Sequence, residues 1–498
     1  MLFNSLKRLL SALGCLLLFC LATQTHAGPI DNPSIVNTVI AGNQGLPALT
    51  NMVAGRNGEK LLMWRDHEVG ITYVQRISSS GVLAPAKMPI QGLGSSISAD
   101  LVGNFTVASD SANIRRYDRN GNLQSTFRPH PNAVNASAVV DVDGNVSVFY
   151  SISVNQVTSL AFRRFTTGGI PVSAEVQVWA PTTQYLGVVA SSSDAFGNVT
   201  VTWQVMNSST PLDVDIWMQR FNSAGQAINS PTLVPSALPG LQDGGGLAVS
   251  PQGPFAIAWN SLESSSNWGA YVQRFNSAGF PVGTPIRLNQ AILSAPPLAY
   301  VSMAEDGSFV ATWNTTPTAP EVGLTLVARQ FNADGTPIGN EFKVDLPGIG
   351  SALYANSAMD RAGNFTVAWS AGEAPPGTSW DVKMRSFKLD TQPAITTLIN
   401  NQPAQSLAGG TGSWRYFKVT LPAGVTQMNI NMAGPAGGDG DMYVRFGGLP
   451  SATAWDFRPY VNGSNEALAI GTPPPGDFYI AIYGYSAYSA VSLNVSYW

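Results

Sequence analysis

Cysteine is almost missing from this 498-residue chain: its two copies, Cys15 and Cys20, both fall in the first twenty residues. Past residue 27 there is no thiol for a disulfide, a cysteine nucleophile or a Cys-ligated zinc site. Charge is scarce too, at 11 % Asp, Glu, Lys and Arg, against roughly 25 % in an average soluble domain. The formal balance of −4 provides no basic footprint, so no nucleic-acid partner is expected. After Ala27 no apolar run approaches the eighteen residues of a membrane-spanning helix, and no membrane span is expected once the leader is removed. Helical periodicity is absent throughout.

What the chain does have is turn formers and apolar residues. It holds 49 Gly and 34 Pro, and 44 % of it is hydrophobic, enough to bury a core. Residues 1–27 read as a secretory signal peptide. Lys7 and Arg8 precede the apolar run Leu9 to Ala22, and Thr25-His26-Ala27 resembles a cleavage site. The expected location is therefore secreted, outside the cell.

From about residue 41 to 390 one unit recurs, clearest in "DAFGNVTVTWQV", "SPQGPFAIAWNS" and "AEDGSFVATWNT". Its glycine falls at Gly58, Gly103, Gly144, Gly197, Gly253, Gly307 and Gly363, seven copies in or just above the spacing of propeller blades. Each copy parses as four short alternating strands between Gly, Pro, Asn and Asp turns. The expected fold class is all-β: a seven-bladed β-propeller over 28–392 followed by a small β-sandwich over 393–498. The seventh copy lacks a fourth strand. The segment Ile35 to Ile40 resembles one and is expected to complete it, removing an open edge.

Trp64, Trp203, Trp259, Trp313 and Trp369 share one slot, and Arg76, Arg116, Arg164, Arg220 and Arg274 share another. A residue repeated around a structure is expected to pack or to satisfy a structural partner. Asp143-Gly144 and Asp306-Gly307 read as hairpin turns rather than metal loops. Function is expected in the loops between second and third strands, which vary in length and content. Their ligand-binding candidates are Asp66, His67, Glu68, Asp213, Asp215, Trp268, Trp380 and Asp381.

The repeats resemble those of large secreted bacterial repeat proteins, which implies extracellular display. The segments "LINNQPAQSLAGGTGSWRYFKVTLPAG", "GGDGDMYVRFGGLPS", "DFRPYVNGSNEALAI" and "PPPGDFYIAIYGYSAYSAVSLNVSYW" resemble the bacterial pre-peptidase C-terminal domain over about 398–498. That resemblance implies a β-sandwich assisting secretion, solubility or adhesion. Members often carry a Cys pair where Phe457 and Leu468 stand here, implying an apolar contact in its place. It also implies calcium as the one candidate cofactor, on Asp439, Asp441 and Glu466.

No peptidase motif occurs: His-Glu-x-x-His, Gly-x-Ser-x-Gly and Gly-Asp-Ser-Gly are all missing. Gly377-Thr378-Ser379 is followed by Trp380. No catalytic residue is assigned. The expectation is a non-catalytic binding or adhesion protein for an extracellular polysaccharide or protein surface. The alternative is a propeller-type glycoside hydrolase or lyase using loop carboxylates among Glu68, Asp213, Asp215, Glu263, Glu321, Glu373 and Asp381.

Overall fold

The alternating segments become strands, and their glycines become the turns between them. The computed structural model describes residues 28–29, 33–37, 44–45, 52–55, 58–109, 111–141, 144–209, 212–234, 241–264, 266–316, 323–345, 351–372, 380–388, 395–450, 455–459 and 461–498. The signal segment with both cysteines, Asp143, Glu321, Glu373 and Gly377-Thr378-Ser379 lie outside them. The described residues are all-β, and none of their helices is long and apolar enough to cross a membrane. The chain divides into two compact units, one from His26 to Asp390 and one from Thr391 to Trp498.

Among the described residues the first unit contains seven antiparallel sheets, taken in sequence order. The fifth is representative: Gln242–Val249, Phe255–Leu262, Trp268–Phe275 and Pro281–Arg287 pair each with the next. The seventh holds Ala352–Met359, Phe365–Gly372 and Trp380–Lys388 from the end of the unit. Its outer edge is supplied by the beginning of the chain. Gly28 and Pro29 pair with Lys388 and Phe387, and Ser34 and Ile35 pair with Met384 and Lys383.

Seven apolar clusters lie between consecutive sheets. Trp203 packs with Phe149 and Phe162 of the third sheet, and Trp313 packs with Ala258 and Val272 of the fifth. The last cluster joins Ala368 and Met384 of the seventh sheet to Leu62 and Trp64 of the first, with Val36 between them. The first strands of successive sheets abut in the same order, and Ala352–Met359 abuts Met52–Ala54 of the first sheet. All five slot tryptophans are buried, so burial accounts for their repetition.

The repeated arginines anchor turns. Arg116, Arg164 and Arg220 pair with Asp100, Asp141 and Asp194 of their own sheets. Arg76 donates to Gly103 O at 2.7 Å, and Arg274 to Ala333 O at 2.7 Å, each in the following sheet. In the second, third, fourth and seventh sheets the turn acid stands three residues before the glycine, whereas in the sixth Asp306 stands beside Gly307 as expected and accepts from Ser308 N at 2.9 Å. Asp194 Oδ1 accepts from Phe196 N and Asn198 N at 2.9 Å, while Gly197 adopts φ 77°. Asp100 and Asp360 close their turns in the same way.

The second unit stacks two four-stranded sheets. One runs Ile395–Thr397, Trp414–Leu421, Gly476–Gly484, Gly440–Phe446, and the other Ala404–Gly409, Tyr488–Tyr497, Gln427–Ala433, Glu466–Gly471. Alternate residues such as Phe417, Val419, Ile480 and Ile482 meet Ile430, Leu493 and Val495 in one core. Phe457 and Leu468 both pack against that core.

Candidate functional site

Five first strands break register as they begin. The shifts fall between Gly94 and Ser96, Ala133 and Ala136, Val188 and Ala190, Gly244 and Gly246, and Leu353 and Asn356. Such bulges leave a residue unpaired and re-aim side chains. In the seventh sheet the bulge contains Tyr354 at φ 52°, and in the sixth Leu298 takes φ 48° just before Tyr300–Met303. Non-glycine residues in this left-handed region cost about 1–3 kcal/mol and cluster at functional sites.

The strand starts of the third to seventh sheets open onto a cavity of about 410 Å3. Antiparallel pairing puts them at the same end as the loops between second and third strands. Tyr185, Tyr300 and Tyr354 line the cavity from the fourth, sixth and seventh sheets, with Gln204, Asp243, Asn260 and Asn356 beside them. The polar walls are tied from sheet to sheet. Gln204 Nε2 donates to Asp243 Oδ1 at 2.9 Å, Gly244 N donates to the same oxygen at 2.8 Å, and Asn260 Oδ1 accepts from Ala299 N at 2.9 Å. Further from the mouth, Thr202 Oγ1 donates to Gly245 O at 2.8 Å and Ser357 Oγ to Ser302 Oγ at 3.0 Å. Burial pushes the Tyr300 hydroxyl up to about 12, reinforced by the negative charge of Asp243 and by Tyr354, so it is a neutral hydrogen-bonding group at neutral pH.

The sequence carries a sign of this wall. The residue after the slot tryptophan is Gln204, Asn260 or Asn314 in three consecutive copies, and each reaches into the next sheet. The opposite end of the unit has a smaller opening of about 250 Å3, lined by Asp100, Asp141, Asp194 and Asp360. Their carboxylates hold the hairpin turns.

None of the eight residues expected from the loops lines the 410 Å3 cavity. Asp66 is buried and its Oδ1 accepts from Glu68 N at 3.1 Å and Val69 N at 3.3 Å, shaping a turn that leaves His67 and Glu68 exposed. Partial desolvation and neighbouring Arg65 hold the His67 imidazole below its ordinary range. Asp213 and Asp215 share Asn207 Nδ2, at 3.4 and 2.6 Å. Trp268 packs on an apolar cluster, and the Trp380 ring lies over Gly372. Asp381 is wholly buried and takes Asn37 Nδ2 at 2.7 Å, which gives it a structural part in fastening the start of the chain. Glu263 is held by Tyr271 and Arg287.

In the second unit Asp439 Oδ1 accepts from Gly463 N at 3.2 Å, Asp441 Oδ2 from Arg458 Nη2 at 3.2 Å, and Glu466 Oε2 from Met442 N at 2.6 Å. Among the described residues no group of three or more His, Cys, Asp or Glu side chains is arranged to hold a metal ion. Tyr488 belongs to the core, Tyr483 stacks near Trp414 at 4.8 Å between centroids, and Tyr485 is exposed. Burial pushes Glu466 up to about 7, helped by the charges of Asp441 and Asp439 and opposed by the Met442 and Val461 amides.

The folded state therefore keeps a proton on Glu466 that the unfolded chain releases near pH 4.5. Its contribution is complete below that pH and is lost as pH rises toward 7, by about 2–4 kcal/mol. In calcium-free buffer, exchange protection of Gly440–Phe446, corrected for intrinsic rates, is expected to fall across that window. Glu466→Gln should flatten the slope; an unchanged slope would refute the assignment.

Two four-stranded sheets packed on one core define the second unit as a small β-sandwich. Residues 415–484 match the family model of the bacterial pre-peptidase C-terminal domain, and the C-terminal unit of this chain belongs to that family. Alkaline serine exoprotease A of Vibrio alginolyticus is 37 % identical over 100 residues, 20 % of this chain and 18 % of that protein. An extracellular protease of Xanthomonas campestris pv. campestris is 38 % identical over 151 residues, 30 % of this chain and 26 % of its own. The solution structure of vEP C-ter 100 is 31 % identical and covers 20 % of this chain and 99 % of that one, with a TM-score of 0.18. The chain thus spans about a fifth to a quarter of the length of these two curated relatives.

These relatives correct the functional expectation. Proteins sharing sequence with this chain are named proteases, which overturns the expectation of a non-catalytic adhesin, and neither it nor the glycosidase or lyase alternative is carried further. The similarity to these proteases covers 20–30 % of the chain.

Proposed function

We propose that this chain is an exported, peptidase-related protein whose first unit is a seven-bladed propeller and whose cavity engages polypeptide. The observation that carries the functional reading is the set of relatives. They include an exoprotease, an extracellular protease and a virulence metalloprotease, which supports an extracellular setting and protein substrates for this chain. The propeller reading rests on seven clusters between consecutive sheets, the last of them joining the seventh to the first. A terminal strand completing the final sheet fits a ring that leaves only short, protected edges. Amides and hydroxyls at the cavity wall suit the main chain of an extended peptide.

The test uses the purified chain lacking residues 1–27, incubated with casein. Casein is expected to co-elute with it on gel filtration or to release acid-soluble peptides, while soluble xylan does neither. A chain that ignores casein and gelatin alike would overturn the reading.

A further inference from the structure

We propose that the 410 Å3 cavity is a cation site that receives the side chain of an arginine or lysine presented by a polypeptide. This deepens the polypeptide reading above and rests on it for the source of the ligand. Asp243 is the one charged residue among those lining the cavity. Its Oδ1 is fixed by Gln204 Nε2 and Gly244 N, which orients the carboxylate, and its Oδ2 makes no hydrogen bond among the described residues. Tyr185, Tyr300 and Tyr354 add aromatic faces from three different sheets. A carboxylate among tyrosine rings is the chemistry that recognises a desolvated cation. The planar guanidinium fits it best, because it both pairs with carboxylate and stacks on rings. Asn356 supplies a further amide at the wall for the remaining N–H groups.

The backbone points the same way. Leu298 and Tyr354 hold left-handed conformations at the rim, and Gly244 and Gly245 stand at φ 103° and 102° beside Asp243. Non-glycine residues held in this region at a cavity rim are a feature of ligand clamps. The volume falls within the ordinary range for small-ligand pockets.

The test is calorimetric titration of the chain lacking residues 1–27 with Ac-Ala-Arg-Ala-amide and its neutral isostere Ac-Ala-citrulline-Ala-amide. The arginine peptide is expected to bind at least tenfold more tightly. Asp243→Asn should abolish that preference while leaving the thermal midpoint in place, since an amide oxygen still accepts from Gln204 and Gly244. Should Asp243→Asn unfold the chain, Tyr354→Leu takes its place and is expected to weaken the arginine peptide severalfold. Equal binding of the two peptides, binding of neither, or a preference that survives Asp243→Asn would overturn the proposal. Casein engaged without discrimination between the peptides sinks the cation site alone. Arginine discrimination in a chain that ignores casein sinks only the polypeptide reading.

Discussion

Asp194→Ala is expected to destabilise the first unit by about 3–5 kcal/mol, because it strands a guanidinium in the interior. Both side chains of the Arg220–Asp194 pair are 0 % exposed. Arg220 Nη1 donates to Gly253 O of the next sheet at 2.7 Å, and its guanidinium lies 5.5 Å from the Phe255 ring centroid. Burial pushes the guanidinium down from its usual range and Asp194 pushes it back up. Removing the acid leaves the first effect without the second, and also frees the Phe196 and Asn198 amides of the turn. The exposed pair Arg119–Glu59, at 2.8 Å, sets the contrast, since Glu59→Gln should cost under about 1 kcal/mol. Urea unfolding of the two variants measures the difference. A loss below 1 kcal/mol for Asp194→Ala would show that water reaches Arg220. Replacing both members of the buried pair by apolar residues should recover much of the loss.

Starting the chain at residue 41 instead of 28 is expected to abolish a sharp unfolding transition and to produce aggregates. The removed residues include Val36, 2 % exposed between the seventh and first sheets, and Asn37, which binds Asp381 and accepts from Val382 N at 2.9 Å. Their loss orphans a buried carboxylate and bares the edge of Trp380–Lys388. Asn37→Ala alone should cost about 1–3 kcal/mol, since it leaves Asp381 short of its one donor among the described side chains. Gel filtration and thermal melting of the two lengths decide the matter. Identical profiles would mean that the opening residues are ornamental.

Local signals were legible and assembled ones were not. Phe309 to Trp313 reads as a strand and forms one, but all five residues are buried rather than alternate ones, because the second strand is covered on both faces. The repeated Arg220 reads as structural because a charge recurring in five copies needs five partners, and the structure supplies acids and carbonyls. An edge supplied by the start of the chain is legible because the seventh copy lacks a strand, although the pairing falls at residues 28–29 and 34–35, ahead of the expected Ile35 to Ile40, whose last three residues lie outside the described ones. The cavity escaped because most of its residues lie on or just before the first strands, whose starts are bulged and therefore carry no period of two. "QDGGGLAV" and "ALYANSAM" alternate poorly for that reason. Looking to the variable loops selected Trp268 and Asp381, which the fold spends on packing and fastening. Tyr185, Asp243 and Tyr354 are far apart in sequence, and only the succession of sheets brings them to one opening.

The fastening of the first residues to the last sheet also sets an order of events. Asn37 and Asp381 are 344 positions apart, so the clasp emerges long before its receptor. Synthesis runs from the N-terminus, and long-range pairings form slowly. Until residue 388 is made, the opening strand has nowhere to dock and the sheets before it cannot lock. Such a chain stays threadable for most of its own production, and its first unit commits to its final shape only once residue 388 is present.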